Sequence, residues 1–169
     1  MTLRAVLSVG SNVGDSRALV AGVAAAARRD GMLCAESSPL VTEPWGGVEQ
    51  PPFVNSALLV TWEGAPAGLL DWCRDREREA HRTREVRWGP RTLDVDVVTV
   101  WEDGRELRSD DPGLTLPHPR AGERAFVLVP WREIDPDATL RGRPLGEYLD
   151  ALGADAPGVL GSAAGGEGI

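Results

Sequence analysis

Apolar-rich stretches separated by turn-forming residues predict the strands of this chain. They cover residues 3–9, 34–42, 53–62 and 92–101, and a short returning strand near residues 106–107 follows the Asp103-Gly104 turn. The apolar pattern of three other segments predicts helices. The first helix runs from a cap at Asp15 or Ser16 to about residue 29, the second runs from Pro66 to about residue 80, and the last covers residues 145–152.

The remaining segments show no regular period. Three prolines and two adjacent glycines make residues 43–52 irregular, and residues 82–91 predict an exposed loop. Pro112, Pro117 and Pro119 argue against regular structure before residue 124. The Gly/Ala-rich residues 153–169 predict a disordered tail. We therefore expect one α+β domain over residues 1–152, built as a sheet covered by helices.

Composition excludes several classes of partner. Of the 169 residues, 42% are hydrophobic and 26% are charged, which is typical of a globular domain. The net charge of −8 disfavours a nucleic-acid partner. We find no signal peptide and no stretch long enough for a membrane span. Two cysteines, Cys34 and Cys73, suit a reduced compartment, so we expect a soluble cytoplasmic protein with no membrane partner.

The basic residues exclude further mechanisms. All 18 are arginine, so the chain has neither the lysine of a P-loop nor a lysine that could form a Schiff base. The only two histidines are His81 and His118, which argues against a metal site built from several histidines.

Positive charge is concentrated in residues 74–91, where seven arginines stand against four acidic residues. In an acidic chain, such a cluster favours a small anionic ligand over a polyanion. A solvated helix face with ion pairs explains the helical part equally well. It explains less of Arg82, Arg84, Arg87 and Arg91, which lie beyond the predicted helix.

Two carboxylates follow this cluster on a predicted strand. Asp94 and Asp96 are two residues apart, so both point to one face, about 7 Å apart at the backbone, while Leu93, Val95 and Val97 point into a core. Mg²⁺ binds through one or two carboxylates and completes its shell with phosphates and water. Two solvated aspartates on an edge strand are the alternative. The adjoining arginines favour metal–phosphate chemistry.

Four blocks of sequence, in order, resemble the 6-hydroxymethyl-7,8-dihydropterin pyrophosphokinase family. The most specific is WGPRTLDVDVV at residues 88–98. The others are GSN at 10–12, then TEP at 42–44 with QP at 50–51 and FVN at 53–55, and finally LPHPR at 116–120 with RAFVL at 124–128. Together they span residues 5–150 approximately. The resemblance implies a ferredoxin-like fold, a mostly antiparallel sheet with helices on both faces.

The resemblance also implies transfer of pyrophosphate from ATP, as co-substrate, to the hydroxymethyl group of a pterin. Asp94 and Asp96 would hold two Mg²⁺ ions, and Arg82 and Arg91 would stabilise the transferring group. The residues implied at the ATP site are Glu77, Arg84, Arg87, Trp88, Val97, Thr115, His118 and Arg124. Those implied at the pterin pocket are Thr42, Pro44, Trp45, Phe53, Asn55, Asp94 and Phe126.

Physical chemistry agrees with this pterin pocket. A flat polar heterocycle suits a sandwich between Phe53 and Phe126, with Asn55 both donating and accepting at its edge. Ordinary core packing of both rings is the alternative. His118 suits a phosphate hydrogen-bond donor or, flanked by two prolines, a structural turn.

We expect in-line attack of the pterin hydroxyl on the β-phosphorus, with the loop over residues 82–91 closing over ATP. Asp94 or Asp96 is a candidate for proton removal, and no dedicated base stands out. Two other functions remain open: another Mg²⁺-dependent nucleotidyl- or phosphotransferase, and a non-catalytic ferredoxin-like module that binds a nucleotide. A monomer is expected, and the sequence leaves oligomers open.

Overall fold

The computed structural model describes residues 2–12, 14–42, 52–82, 93–153 and 159–162. The elements in these residues follow one another in this order: β1 (Thr2–Ser11), α1 (Ser16–Arg29), β2 (Leu33–Glu36), β3 (Leu40–Thr42), β4 (Phe53–Glu63), α2 (Pro66–Arg82), β5 (Asp94–Glu102), β6 (Arg105–Glu106), β7 (Ser109–Asp111), β8 (Leu114–Leu116), α3 (Ala125–Ile134), β9 (Thr139–Leu140), β10 (Arg143–Pro144), α4 (Leu145–Leu152) and β11 (Val159–Ser162). A 3₁₀ turn, Ala121–Glu123, precedes α3.

The main sheet has the strand order β11-β3-β4-β1-β5-β6, and β2 also pairs with β4. Every pairing in it is antiparallel. The central order β3-β4-β1-β5, with α1 following β1 and α2 following β4, is the βαββαβ arrangement of ferredoxin-like folds. The predicted α+β class is confirmed.

Helices cover both faces of the sheet, and each face has its own core. The α1/α2 face buries the alternate residues Leu3, Ala5, Leu7 and Val9 of β1 against both helices. The opposite face, here the α3/α4 face, buries Val6 with residues of α3 and α4. None of the described helices is long and apolar enough to cross a bilayer.

The helix starts follow local chemistry. Asp15 is the cap of α1, because its carboxylate accepts a hydrogen bond of 3.2 Å from the backbone N–H of Ala18. Pro66 opens α2, where a missing N–H costs nothing. The exposed ion pair Asp75–Arg78 along α2 is that of a solvated helix face, as the alternative for this arginine-rich stretch predicts.

Two expectations from the sequence need correction. The strand predicted over residues 34–42 is two strands. The Ser37 N–H still donates to the carbonyl of Ala57 and the Ser37 hydroxyl accepts from the Ala57 N–H, and the chain then leaves the ladder at Ser38 and Pro39. The proline-rich segment before residue 124 does contain regular structure: β7 and β8 form a hairpin whose turn holds Pro112 and Gly113.

Two later segments also form short strands. A second small hairpin, β9–β10, turns through Arg141 and Gly142, both with positive φ. Within the tail predicted to be disordered, Val159–Ser162 form β11 and pair with β3. The local sequence of a short strand gives little indication that it forms a strand, because its stability comes from the strand that it pairs with.

Candidate active site

Asp94 and Asp96 lie at the start of β5, and their side chains share the α3/α4 face. They stand opposite Gly10 and Ser8 of β1 in the antiparallel register. Leu93, Val95 and Val97 point the other way and are buried in the α1/α2 core, so the predicted alternation is confirmed. Both aspartates are half-buried.

The strand pairing connects Asp94 with the buried amide of Asn55 through Gly10. Gly10 pairs with Asp94 on one side and with Asn55 of β4 on the other. Neighbouring strands are spaced by about 4.8 Å, so the Asp94 and Asn55 Cα atoms lie about 10 Å apart. A carboxylate pair and an amide therefore meet on one polar end of the α3/α4 face.

Asn55 is held in one orientation. Its Nδ2 donates a 2.9 Å hydrogen bond to Oγ1 of Thr42, and both residues are buried. A Cβ on Gly10 would lie 2.7 Å from Oδ1 of Asn55, so only glycine leaves room for this amide. With respect to the described residues, the second Nδ2 hydrogen and Oδ1 remain as a donor and an acceptor for a flat polar ligand.

The two phenylalanines lie on the same face from different elements. Phe53 begins β4, two residues from Asn55, and is half-buried. Phe126 lies in the first turn of α3 and packs against the α3/α4 core. The Arg124 guanidinium carbon lies 5.5 Å from the centroid of the Phe126 ring, which places a cation on this aromatic face.

His118 is fixed beside β5 by its backbone. Its N–H donates to the carbonyl of Val98 at 2.7 Å. Its Nδ1 accepts from the backbone N–H of Arg120 at 3.2 Å, so the neutral ring carries its proton on Nε2 and presents a donor there. Burial lowers the pKa of His118; the Asp96 carboxylate opposes this, and nearby arginines, Arg124 first, add to it.

Three other residues assigned to the ATP site by resemblance have different surroundings. Oε2 of Glu77 accepts a 2.9 Å hydrogen bond from the backbone N–H of Val95. Oγ1 of Thr115 donates to the carbonyl of Asp111 across the β7–β8 hairpin at 3.1 Å. The Val97 side chain is buried in the α1/α2 core, on the opposite face from the aspartates, so only its backbone is available to a ligand there.

Several predicted site residues lie outside the described part of the chain. Arg82 is the last residue of α2, and its side chain is not among those described. The others that lie outside are Pro44, Trp45, Arg84, Arg87, Trp88 and Arg91. Their roles stay predictions.

The sequence pattern indicated no role for Ser8 and Asn12. It also gave no indication that the missing side chain of Gly10 leaves room for the Asn55 amide. Ser8 stands opposite Asp96, and Asn12 follows β1; both are buried polar residues. A serine and a glycine on alternate positions of an otherwise apolar strand are the available signal, because a polar residue at a buried position needs a partner.

The donor set suits a hard cation. In the part of the chain that the structure describes, no three His, Cys, Asp or Glu side chains form a group able to hold a metal by themselves. Two half-buried carboxylates on one face supply oxygen ligands and leave the rest of the coordination shell open. That is the usual arrangement for Mg²⁺ shared between protein and phosphate oxygens.

An antiparallel α+β sheet with paired carboxylates beside a buried amide defines a site for phosphate and heterocycle chemistry. The model of the 7,8-dihydro-6-hydroxymethylpterin-pyrophosphokinase family matches residues 6–136. Three similar proteins are each called 2-amino-4-hydroxy-6-hydroxymethyldihydropteridine pyrophosphokinase.

The protein of Methylorubrum extorquens is 42% identical over 151 residues, which cover 88% of this chain and 93% of that protein. The Mycobacterium bovis protein is 44% identical over 148 residues, or 81% and 75% of the two chains. The Bacillus subtilis protein is 36% identical over 132 residues, 77% of each chain. The chain belongs to the 7,8-dihydro-6-hydroxymethylpterin-pyrophosphokinase family.

Proposed function

We propose that the protein transfers pyrophosphate from ATP to 6-hydroxymethyl-7,8-dihydropterin in folate biosynthesis, giving AMP and the pterin pyrophosphate. The observation that carries this proposal is the line Asp94–Gly10–Asn55 across three neighbouring strands. It joins a carboxylate pair suited to metal and phosphate with an amide suited to the edge of a pterin. The distance of about 10 Å spans a bicyclic ring and the reacting phosphate.

The pterin end is supported by fixed polar groups. Asn55, held by Thr42, offers a donor and an acceptor to the ring edge. Phe53 and Phe126 offer aromatic faces, and Pro44 and Trp45 complete the pocket by resemblance. Because the amide is anchored before the ligand arrives, little freedom is lost on binding.

Asp94 and Asp96 are the residues that would hold Mg²⁺, with two ions expected from the resemblance. Bound there, the metal would neutralise charge on the ATP phosphates. By resemblance, the remaining contacts to ATP come from Arg84, Arg87, Trp88, Val97, Thr115, His118 and Arg124. The resemblance also places Glu77 at the ATP site, where its carboxylate accepts from the backbone N–H of Val95. The neutral Nε2–H of His118 suits a phosphate oxygen, and the Arg124 guanidinium adds positive charge.

The reaction breaks one bond at phosphorus and makes one. The pterin hydroxymethyl oxygen attacks the β-phosphorus in line and loses its proton, for which Asp94 or Asp96 is the candidate acceptor. The bond from that phosphorus to the α,β-bridging oxygen breaks, and AMP leaves. Arg82 and Arg91 stabilise the charge on the transferring group. The expected closure of residues 82–91 over ATP would exclude water, which competes with the pterin as acceptor.

The decisive experiment measures AMP release from ATP and Mg²⁺, with and without 6-hydroxymethyl-7,8-dihydropterin. Pterin-dependent AMP with a pyrophosphorylated pterin is the expected result. ADP as product would contradict it and indicate a monophosphoryl kinase. Binding of ATP without either product would favour a nucleotide-binding module. We expect this activity from a cytoplasmic monomer, which light scattering and cell fractionation test.

A further inference from the structure

In the part of the chain that the structure describes, no strand pairs with the outer edge of β5 beside the two aspartates. On that side, β6 pairs with β5 only at Trp101 and Glu102. On the inner side, β1 pairs with β5 along its length. At residues 94–96, β5 is therefore the last of the described strands, and its outward backbone groups need other partners.

Val95, between the two aspartates, directs its N–H to this open edge. That N–H donates a hydrogen bond of 2.9 Å to Oε2 of Glu77 rather than to a carbonyl of β1. In an antiparallel pair, residues alternate between facing the neighbouring strand and facing away from it. Asp94 and Asp96 are therefore the residues bonded to β1, and the peptide between them is held from outside by Glu77.

Farther along the same edge, backbone N–H groups of other segments form hydrogen bonds with the outward groups of β5. The carbonyl of Val98 accepts from the N–H of His118 at 2.7 Å, and the carbonyl of Val100 accepts from the N–H of Leu107 at 2.8 Å. Beside the aspartates, a carboxylate on α2 takes the place of such a backbone partner.

Helix α2 is packed so that Glu77 reaches this edge. Leu69 and Cys73, two and one turns before Glu77 on α2, are buried in the same core as Val95. Burial raises the pKa of the Cys73 thiol, and the negative charges of Glu77 and Asp96 raise it further. The packing of Leu69 and Cys73 thus holds the helix that carries Glu77 against β5.

We propose that Glu77 is a positioning residue for the aspartate pair, acting through the Val95 backbone rather than through contact with ATP. Its hydrogen bond keeps the edge strand regular between Asp94 and Asp96, so both carboxylates stay on one face. Without it, the exposed edge is free to twist or bulge, which redirects alternate side chains. The role of the aspartates in this proposal rests on the proposed function. The link between Glu77 and the aspartate pair rests only on the hydrogen bond between Val95 and Glu77.

Three variants separate positioning from ligand contact. Glu77→Gln keeps an oxygen that accepts from Val95, whereas Glu77→Ala removes it. Asp75→Ala is the matched control, since it removes an exposed carboxylate from the same helix. If Glu77→Ala does not fold, Glu77→Met replaces it, because it keeps the side-chain stem without a strong acceptor.

The first readout is amide hydrogen exchange of Val95 by NMR in the ligand-free protein. We expect about tenfold or faster exchange in Glu77→Ala, because a hydrogen bond to a charged group is lost. Exchange stays near wild type in Glu77→Gln and Asp75→Ala. Unchanged exchange in Glu77→Ala overturns the proposal.

The second readout is the Kd of Mn²⁺ for protein saturated with α,β-methylene-ATP, which is not cleaved. Glu77→Ala weakens Mn²⁺ binding and raises the Mg²⁺ needed for activity, while KM for ATP at saturating Mg²⁺ stays unchanged. An equal rise of that KM in Glu77→Gln and Glu77→Ala, with Mn²⁺ affinity unchanged, overturns the proposal in favour of ATP contact. Failure of the proposed function is distinct, because it shows as wild-type protein that makes no pterin-dependent AMP.

Discussion

On the α1/α2 face of the sheet, β1 contributes Leu3, Ala5, Leu7 and Val9 to one continuous core. On the α3/α4 face, the same strand contributes Val6 to a core and then Ser8 and Gly10. The second core therefore stops before the strand does. Polar groups occupy the uncovered end, and there Asp94, Asp96 and Asn55 meet. One face stabilises the fold along its whole length, and the other gives up part of its packing to form a site.

The strongest test of this difference is the double substitution Asp94→Ala and Asp96→Ala. We expect AMP formation to fall by about 10³-fold or more, because the charge partner of the phosphates is lost. Stability should change little, since neither carboxylate belongs to a core. Retained AMP formation would refute the metal assignment. Asp110→Ala, an exposed carboxylate on β7, is the control and should keep full activity.

Leu7→Ala tests the packed face. Leu7 is completely buried between β1 and the two helices, so truncation leaves a cavity. We expect the free energy of unfolding to fall by about 2–5 kcal/mol, as for other buried leucines. Urea unfolding measures this, and KM values of the folded fraction should stay at wild type. A loss below about 1 kcal/mol would show that this face relaxes more than its packing indicates.

Gly10→Ala tests the polar end. The new Cβ would press on Oδ1 of Asn55, so we expect a loss of about 1–3 kcal/mol in stability and a raised KM for the pterin. Gly22→Ala on α1 is the matched control, since nothing lies within 4 Å of its Cβ position. There we expect a gain of about 1 kcal/mol from helix propensity. Equal effects at both glycines would contradict the close approach of Asn55.

Arg76 interrupts the apolar pattern of the α1/α2 face. Its side chain is 11% exposed, and its Nε and Nη1 are buried without a hydrogen-bond partner among the described residues. It retains an ion pair with Glu79 at 3.2 Å and lies over the Trp72 ring, with its guanidinium carbon 5.0 Å from the centroid. We expect Arg76→Met to raise the free energy of unfolding by about 1 kcal/mol, because two unsatisfied donors are removed. Destabilisation would show that the ion pair and ring contact outweigh them.

The smallest expected effect is the pH dependence contributed by His118. Its pKa is lowered in the folded protein from an ordinary value of 6.5, chiefly by burial. The unfolded chain therefore binds more protons below that pH, and the free energy of unfolding falls as pH decreases through 6.5. Above it, His118 contributes no slope. Urea unfolding of wild type and His118→Gln at pH 7.5 and 5.5 checks this, and equal pH slopes would refute it.

The sequence by itself determined the features that depend on near neighbours along the chain. Alternation over Leu93–Val97 assigns Asp94 and Asp96 to one face, because successive side chains on a strand point to opposite sides. The same rule sends the Val97 side chain into the core, so only its backbone is available to the ATP site that the resemblance assigns to it. Asp15 and Pro66 mark the starts of α1 and α2 through local capping chemistry.

Only the tertiary structure decided which distant residues face one another. The line from Asp94 through Gly10 to Asn55 depends on strand registers that are set by two cores acting at once. The bond from Val95 to Glu77 depends on how α2 packs across β5. The hairpins β7–β8 and β9–β10 and the added β11 escaped prediction for the same reason. A short strand is stabilised by its partner, and no local pattern names a partner that lies far away in the chain.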